Sequence, residues 1–320
     1  MIRVGFIGCG GIAREYLGRL DTMSDRARVT AVCDLDLDRA SQLAAGSGAS
    51  VYTDYRQMLE VEKLDAVFNN LPPSARADEL VLAARRGCAI FTTKPLGLDM
   101  ETALHSLQAI EASGVINSVG YMFRYSGITH YSRTLLGDRP LAMFVGRVLG
   151  AMPGGWNSKR ALSGGQLVEQ STHLFDLARY FAGHVRTVYA IGEGGHVPDR
   201  VDYEDVTAVN LQFDGGAIGS IISTCAVWQF FWGATLIARD LHLELVFDEW
   251  TVRGSVDGQK IDYHDETSGY SEQVDTFLRA IETGDQSLIL STYRDGCGTL
   301  ASTLAANRSL VSRKPELPEL

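Results

Sequence analysis

Within the stretch GGQLVEQSTHLFDLARYFAG, residues 164–183, Glu169, His173, Asp176 and Tyr180 follow one another at spacings of four, three and four. On one α-helix those spacings put all four polar groups on a single face. Val168, Leu174, Phe175, Ala178 and Phe181 then offer an apolar surface to a core. A carboxylate and an imidazole one turn apart can bind metal, move protons, or form a hydrogen-bonded face without function. Two ligands do not complete a metal site, and no cysteine or histidine pair at ligand spacing accompanies them, so no metal is expected. Imidazole titrates near neutrality, which suits His173 to general acid–base work.

A second set of residues lies at the N-terminal end. GFIGCGGIA holds Gly8, Gly10 and Ala13 in the G-x-G-x-x-G/A arrangement, after an apolar strand-like run and before a helical one. The first glycine permits a tight turn, the second lets backbone approach a pyrophosphate, and the small third residue lets helix and strand pack closely. Gly8, Cys9, Gly10, Gly11 and Ile12 would line such a ligand. Asp34 closes the second strand-like run, where a carboxylate can accept hydrogen bonds from ribose hydroxyls and repel a 2'-phosphate. NAD is therefore expected over NADP, although Arg39 stands near enough in sequence to matter. Lys94 follows the apolar run CAIF, at the strand end where open α/β sheets hold ligands, and Pro95 stiffens the turn behind it.

Short Val/Ile/Ala/Phe runs alternate with helical patterns from residue 1 to about 120: IRVGFIG, RVTAVCD, LDAVFNNL, CAIFTTK and VINSVGY are each read as a strand, and all but the last is followed by a helix. That rhythm predicts a doubly wound parallel sheet covered on both faces. Beyond about Phe123 strand-like runs dominate, joined by turns such as FDGGA and SVDGQ, with helices from about Tyr270 and Thr292. The expected fold class is α/β: a parallel-sheet domain over 1–122, then an α+β domain over 123–320 with a large, mostly antiparallel open sheet. Helices on one face only would leave the other face to a partner subunit. The loop MPGGWNSKRALSGG could cover a substrate, with Trp156 against a sugar face and Arg160 reaching hydroxyls.

A net charge of -10 argues against nucleic acid or anionic membrane as partner and leaves a small molecule. The uncharged stretch 217–238 is long enough to cross a bilayer, but its β-branched and aromatic content fits two buried strands better. Five scattered cysteines suggest reduced thiols in a cytoplasmic setting, and the N-terminus reads as mature sequence.

Taken together, GFIGCGGIA with Asp34, TTKPLG from residue 92, GYMFRY from 120 and SGGQLVEQSTHLFDLARYFAG from 163 resemble the glucose-fructose oxidoreductase/inositol dehydrogenase/rhizopine catabolism (Gfo/Idh/MocA) family. The likeness extends to YRDGCGTLASTLAANRS near the C-terminus. It implies a Rossmann domain followed by a larger open-sheet domain, and hydride transfer between NAD(P) and a sugar, cyclitol or related polyol. It also implies that Lys94 lies beside nicotinamide and substrate, that His173 is the catalytic histidine, and that Glu169 stands where aspartate is common. Leu71, Pro72 and Pro73 match a loop near the nicotinamide, and Arg124 a segment that often touches substrate. Thr93 replaces the glutamate of the Glu-Lys-Pro motif, and Arg76 stands where histidine is frequent. Homodimers or homotetramers are implied. Two other readings stay open: a non-catalytic NAD or metabolite-binding regulator, and an NAD-dependent glycosidase acting by redox elimination.

Overall fold

A computed structural model describes residues 1–320 and divides into two compact units. The first contains β1 (Ile2–Ile7), α1 (Gly11–Asp21), β2 (Ala27–Cys33), α2 (Leu37–Ala44), β3 (Ser50–Tyr52), α3 (Tyr55–Val61), β4 (Ala66–Asn69), α4 (Glu79–Arg85), β5 (Ala89–Thr92), α5 (Met100–Ser113) and β6 (Asn117–Val119). All six strands are parallel, in the order β3-β2-β1-β4-β5-β6. This is the doubly wound order, with its switch point between β1 and β4. The central strands are apolar throughout because both faces are covered. Phe6, Phe68 and Phe91 stack across β1, β4 and β5 at centroid separations of 5.3 and 4.6 Å. Aspartates start two of the helices: Asp36 accepts from the Arg39 N–H and Asp54 from the Arg56 N–H.

The first unit is not one continuous stretch, as the expected boundary after residue 122 would have it. Tyr270–Asp295 belongs to it as well, although it lies far along the chain. After the strands of the second unit, helix α10 (Tyr270–Thr283) buries Val274, Phe277 and Leu278 in the first core. Its Phe277 packs edge-on against Phe68 and Phe91. Gln273 Nε2 and Ser291 Oγ both donate to the Val119 carbonyl at 2.7 Å, tying this segment to the edge strand β6. Amphipathicity alone does not say which of two sheets such a helix covers.

The second unit holds α6 (Gly127–Leu136), β7 (Leu141–Leu149), α7 (Arg160–Ser163), α8 (Gln166–Glu169), α9 (Thr172–Ala182), β8 (Val185–Glu193), β9 (Val206–Phe213), β10 (Ile218–Thr224), β11 (Phe231–Ala238), β12 (Leu241–Val246), β13 (Thr251–Val256), β14 (Gln259–His264) and α11 (Tyr293–Ser312), whose body from Gly296 lies here. Its eight strands run β14-β13-β12-β11-β7-β10-β9-β8, antiparallel except for the β7–β10 pair. Leu174, Phe175 and Phe181 of α9, Ile128 of α6, and Ala305 and Leu310 of α11 pack on one face with Phe144, Val188, Leu211 and Leu243. The other face leaves Ile191, Val206, Ile218 and Ile222 exposed. The apolar stretch 217–238 forms β10, a connection and β11, and no helix is long and apolar enough to cross a membrane.

Candidate functional site

In the first unit, Gly8 turns the chain after β1 with φ +87°, and a Cβ there would lie 2.9 Å from the Asn70 carbonyl carbon. Only glycine fits that turn. Helix α1 begins without a side-chain cap, and a Cβ on Gly10 or Gly11 would meet no atom within 4 Å. Its N-terminus thus presents N–H groups and partial positive charge to an open surface. Beside the turn, Asp34 Oδ2 accepts from the Cys9 N–H at 2.9 Å and Oδ1 from the Asp36 N–H at 3.0 Å. The carboxylate is fixed in place and keeps lone pairs for further donors. Arg39 approaches Asp34 at 3.5 Å and Asp36 at 3.3 Å. Cys9 contributes only its backbone to this surface: its thiol is buried near the Cys33 carbonyl, and burial pushes it up to about 12. Ile12 packs against the core. These residues fit the pyrophosphate and adenosine ribose of a dinucleotide.

The carboxyl ends of β4 and β5 lie across the switch point from Asp34. Leu71 donates its N–H to Asn69 Oδ1 at 3.2 Å, and Pro72 leads into a single turn over Pro73–Ala75. Lys94 and Pro95 follow β5, with Lys94 partly exposed, Pro95 buried and the peptide between them cis. The two departures from the family pattern meet here. Buried Arg76 donates to Thr92 Oγ1 at 2.5 Å, to the Thr93 carbonyl at 2.6 Å and to Thr93 Oγ1 at 3.2 Å. Nothing in the sequence joins them, since seventeen residues separate Arg76 from Thr93.

In the second unit the helix expected over 164–183 is broken. Gly164 and Gly165, with φ of +79° and +84°, turn the chain between α7 and α8, and a second break at Gln170 and Ser171 separates α8 from α9. The Ser171 N–H reaches back to the Gln166 carbonyl at 2.9 Å, one residue farther than an α-helical bond. The buried side chains at the break bond outward: Gln170 Nε2 to the Gly150 carbonyl, Ser171 Oγ to Ser223 Oγ, and Thr172 Oγ1 to the Tyr121 hydroxyl. Glu169 therefore ends α8, and His173 is the second residue of α9. His173 is 6 % exposed, with the rings of Phe123, Trp232 and Tyr121 at 5.3, 5.6 and 6.0 Å. Trp232 comes from β11, a neighbour no spacing in the sequence would suggest.

Arg124 does not present a free guanidinium for substrate. It is 4 % exposed and grips Asp176 in a fork, Nε to Oδ2 at 2.7 Å and Nη2 to Oδ1 at 2.6 Å, with Tyr180 stacked at 5.2 Å. The geometry makes it a positioning group for α9. Arg160 is likewise engaged within its unit: it pairs with Glu204, its N–H donates to Asp202 at 2.7 Å, and its guanidinium lies 5.8 Å from the Tyr203 ring. Tyr203 donates to the Asn157 carbonyl at 2.8 Å, so the loop carrying half-buried Trp156 is fastened to the 202–205 segment. No group of three His, Cys, Asp or Glu side chains is arranged to hold a metal.

Residues 2–121 match the model of an oxidoreductase family with an NAD-binding Rossmann fold, and residues 138–253 match the GFO/IDH/MocA C-terminal domain. The chain belongs to the GFO/IDH/MocA family. Among relatives in this family, inositol 2-dehydrogenase 4 of Saccharopolyspora erythraea is 30 % identical over 59 % of this chain and 56 % of its own length. The chain thus spans little more than half of that relative. Inositol 2-dehydrogenase of Rhizobium meliloti is 25 % identical over 98 % of both chains. The solved WlbA dehydrogenase from Bordetella pertussis, in complex with NADH and UDP-GlcNAcA, superposes with a TM-score of 0.84 at 21 % identity, covering 100 % of this chain and 99 % of that one. That likeness shows that the two chains share a fold.

Proposed function

We propose that this protein is a nicotinamide-dependent oxidoreductase acting on a hydroxyl-bearing carbon of a sugar, cyclitol or related polyol, with NAD preferred over NADP. The observation that carries the reading is the surface built by Gly8, Gly10, Gly11 and Asp34, where an uncapped helix N-terminus meets a fixed carboxylate. The names of the family relatives, inositol dehydrogenases, support the substrate class. The cofactor supplies the hydride acceptor or donor. The other tasks fall to side chains of this chain. Oxidation of an alcohol requires a base for the hydroxyl proton and a positive group for the developing alkoxide. His173 serves as the base. Lys94 supplies the positive charge at the strand end that faces the nicotinamide side of a doubly wound sheet. Glu169 binds a further hydroxyl or orients the imidazole, while Trp156 offers a ring to the sugar.

The five buried free cysteines suit a reducing compartment, and we assign the protein to the cytoplasm. The test is NADH formation at 340 nm with a panel of cyclitols and sugars. Lys94→Met and His173→Ala are each expected to lower kcat by about 10²–10⁴-fold while leaving NADH binding intact. NADH binding without turnover of any polyol would favour a regulator, and cleavage of a glycoside without net NADH formation would favour redox elimination.

A further inference from the structure

Arg76 occupies a costly position. The residue is 9 % exposed, and burial of such a charge is tolerated where strong hydrogen bonds hold it. Three of those bonds go to Thr92 and Thr93, the two residues immediately before Lys94. The same dipeptide is tied from two other sides: Thr93 donates its N–H and Oγ1 to the Asn69 carbonyl at 2.9 and 3.2 Å, and the Thr92 carbonyl accepts from the Gly120 N–H at 2.8 Å. The loop that carries Arg76 is itself anchored to β4. Glu79, 1 % exposed, accepts from Asn69 Nδ2 at 2.8 Å and from the Ala77 N–H at 2.7 Å. The ends of β4 and β5 are therefore clamped together by one acid and one arginine, and Lys94 is the first residue beyond the clamp.

From this arrangement we propose that Arg76 is a positioning residue for Lys94, holding the end of β5 so that the amine stays in register with the reacting hydroxyl; the role rests on the dehydrogenase reading above. Threonine at 93 is short enough for its hydroxyl and carbonyl to share one guanidinium nitrogen. A planar fork with fixed donor directions reaches Thr92 and Thr93 at once, whereas a lysine ammonium at 76 could keep the charge without keeping both bonds. Positioning errors near 1 Å cost about a hundredfold in rate, so loss of the fork acts on turnover more than on binding.

The experiment uses the full chain with Arg76→Lys and Arg76→Met, the first covering the case in which the second folds poorly. NADH affinity by fluorescence should stay within about twofold of wild type, since the Gly8–Asp34 surface is untouched. Exchange of the Thr93 amide should accelerate about tenfold or more while amides of β1 and β2 are unchanged, a local effect that general loss of stability would not produce. With a polyol substrate, Arg76→Lys should lower kcat by about a hundredfold with KM little altered, and should cost nothing further in a Lys94→Met background. An unchanged Thr93 amide, acceleration throughout the sheet, or an equal loss in the Lys94→Met background would overturn the assignment. A wild-type chain that turns over no polyol removes the function and the role together, whereas active wild type with indifferent Arg76 variants removes the role alone.

Discussion

Asp34 shows how much one side chain can decide. Held by the Cys9 and Asp36 N–H groups, its carboxylate cannot swing away from a ligand on the glycine turn, and a 2'-phosphate there would meet a fixed negative charge. Arg39, paired with both Asp34 and Asp36, is the nearby cation that could take the phosphate once Asp34 is gone. Asp34→Ala should therefore shift the ratio of NADP to NAD affinity toward NADP by about tenfold or more, equivalent to about 1.4 kcal/mol. Titration calorimetry with both cofactors checks this, and an unmoved ratio rejects the role given to Asp34. Gly8, Asp34 and Lys94 could be found from sequence because each follows a strand-like run directly. Phe123, Tyr121 and Trp232 around His173 could not, since aromatic residues in apolar segments read simply as core.

At the scale of elements, the break between α8 and α9 is where residue pattern and geometry part. Spacings of four, three and four from Glu169 to Tyr180 describe one helix, yet Gln170, Ser171 and Thr172 spend their side chains on Gly150, Ser223 and Tyr121. Short polar side chains compete with the helical ladder when buried partners are available. Beyond the break α9 is regular, and the Arg124–Asp176 fork secures its position beneath the sheet. Asp176→Asn leaves a buried guanidinium short of its counter-charge and should lower unfolding free energy by about 3–5 kcal/mol. Adding Arg124→Met should restore part of that loss. Urea unfolding of the single and double variants tests the coupling, and additive losses would contradict it.

For the whole molecule, buried thiols set a limit on alkaline stability. Burial raises Cys9 and Cys33 from 9.0 to about 12 and Cys88 and Cys225 to about 11. Above pH 9 the unfolded chain releases thiol protons that the folded chain retains, so this stability is full below pH 9 and lost as pH rises toward 11–12. The slope is about 1.4 kcal/mol per pH unit for each such thiol. Urea midpoints should fall steadily from pH 9 to 11, and a flat profile would contradict the burial argument. The exposed Ile191, Val206, Ile218 and Ile222 lie on the helix-free sheet face, through which we expect a homodimer or homotetramer. Light scattering at micromolar concentration should find it, and Ile222→Glu should weaken it; a monomeric wild type ends that expectation. By itself the sequence determined the two sheet types, the glycine turn, its acid and the lysine at a strand end, because periodicity and glycine stereochemistry act over a few residues. Only the tertiary structure decided that α10 joins the first core, that Arg76 clamps Thr92 and Thr93, that Arg124 is committed to Asp176, and that aromatic rings enclose His173. Those are contacts between distant parts of the chain, chosen by packing and by the need to satisfy buried charge, and no local pattern records them.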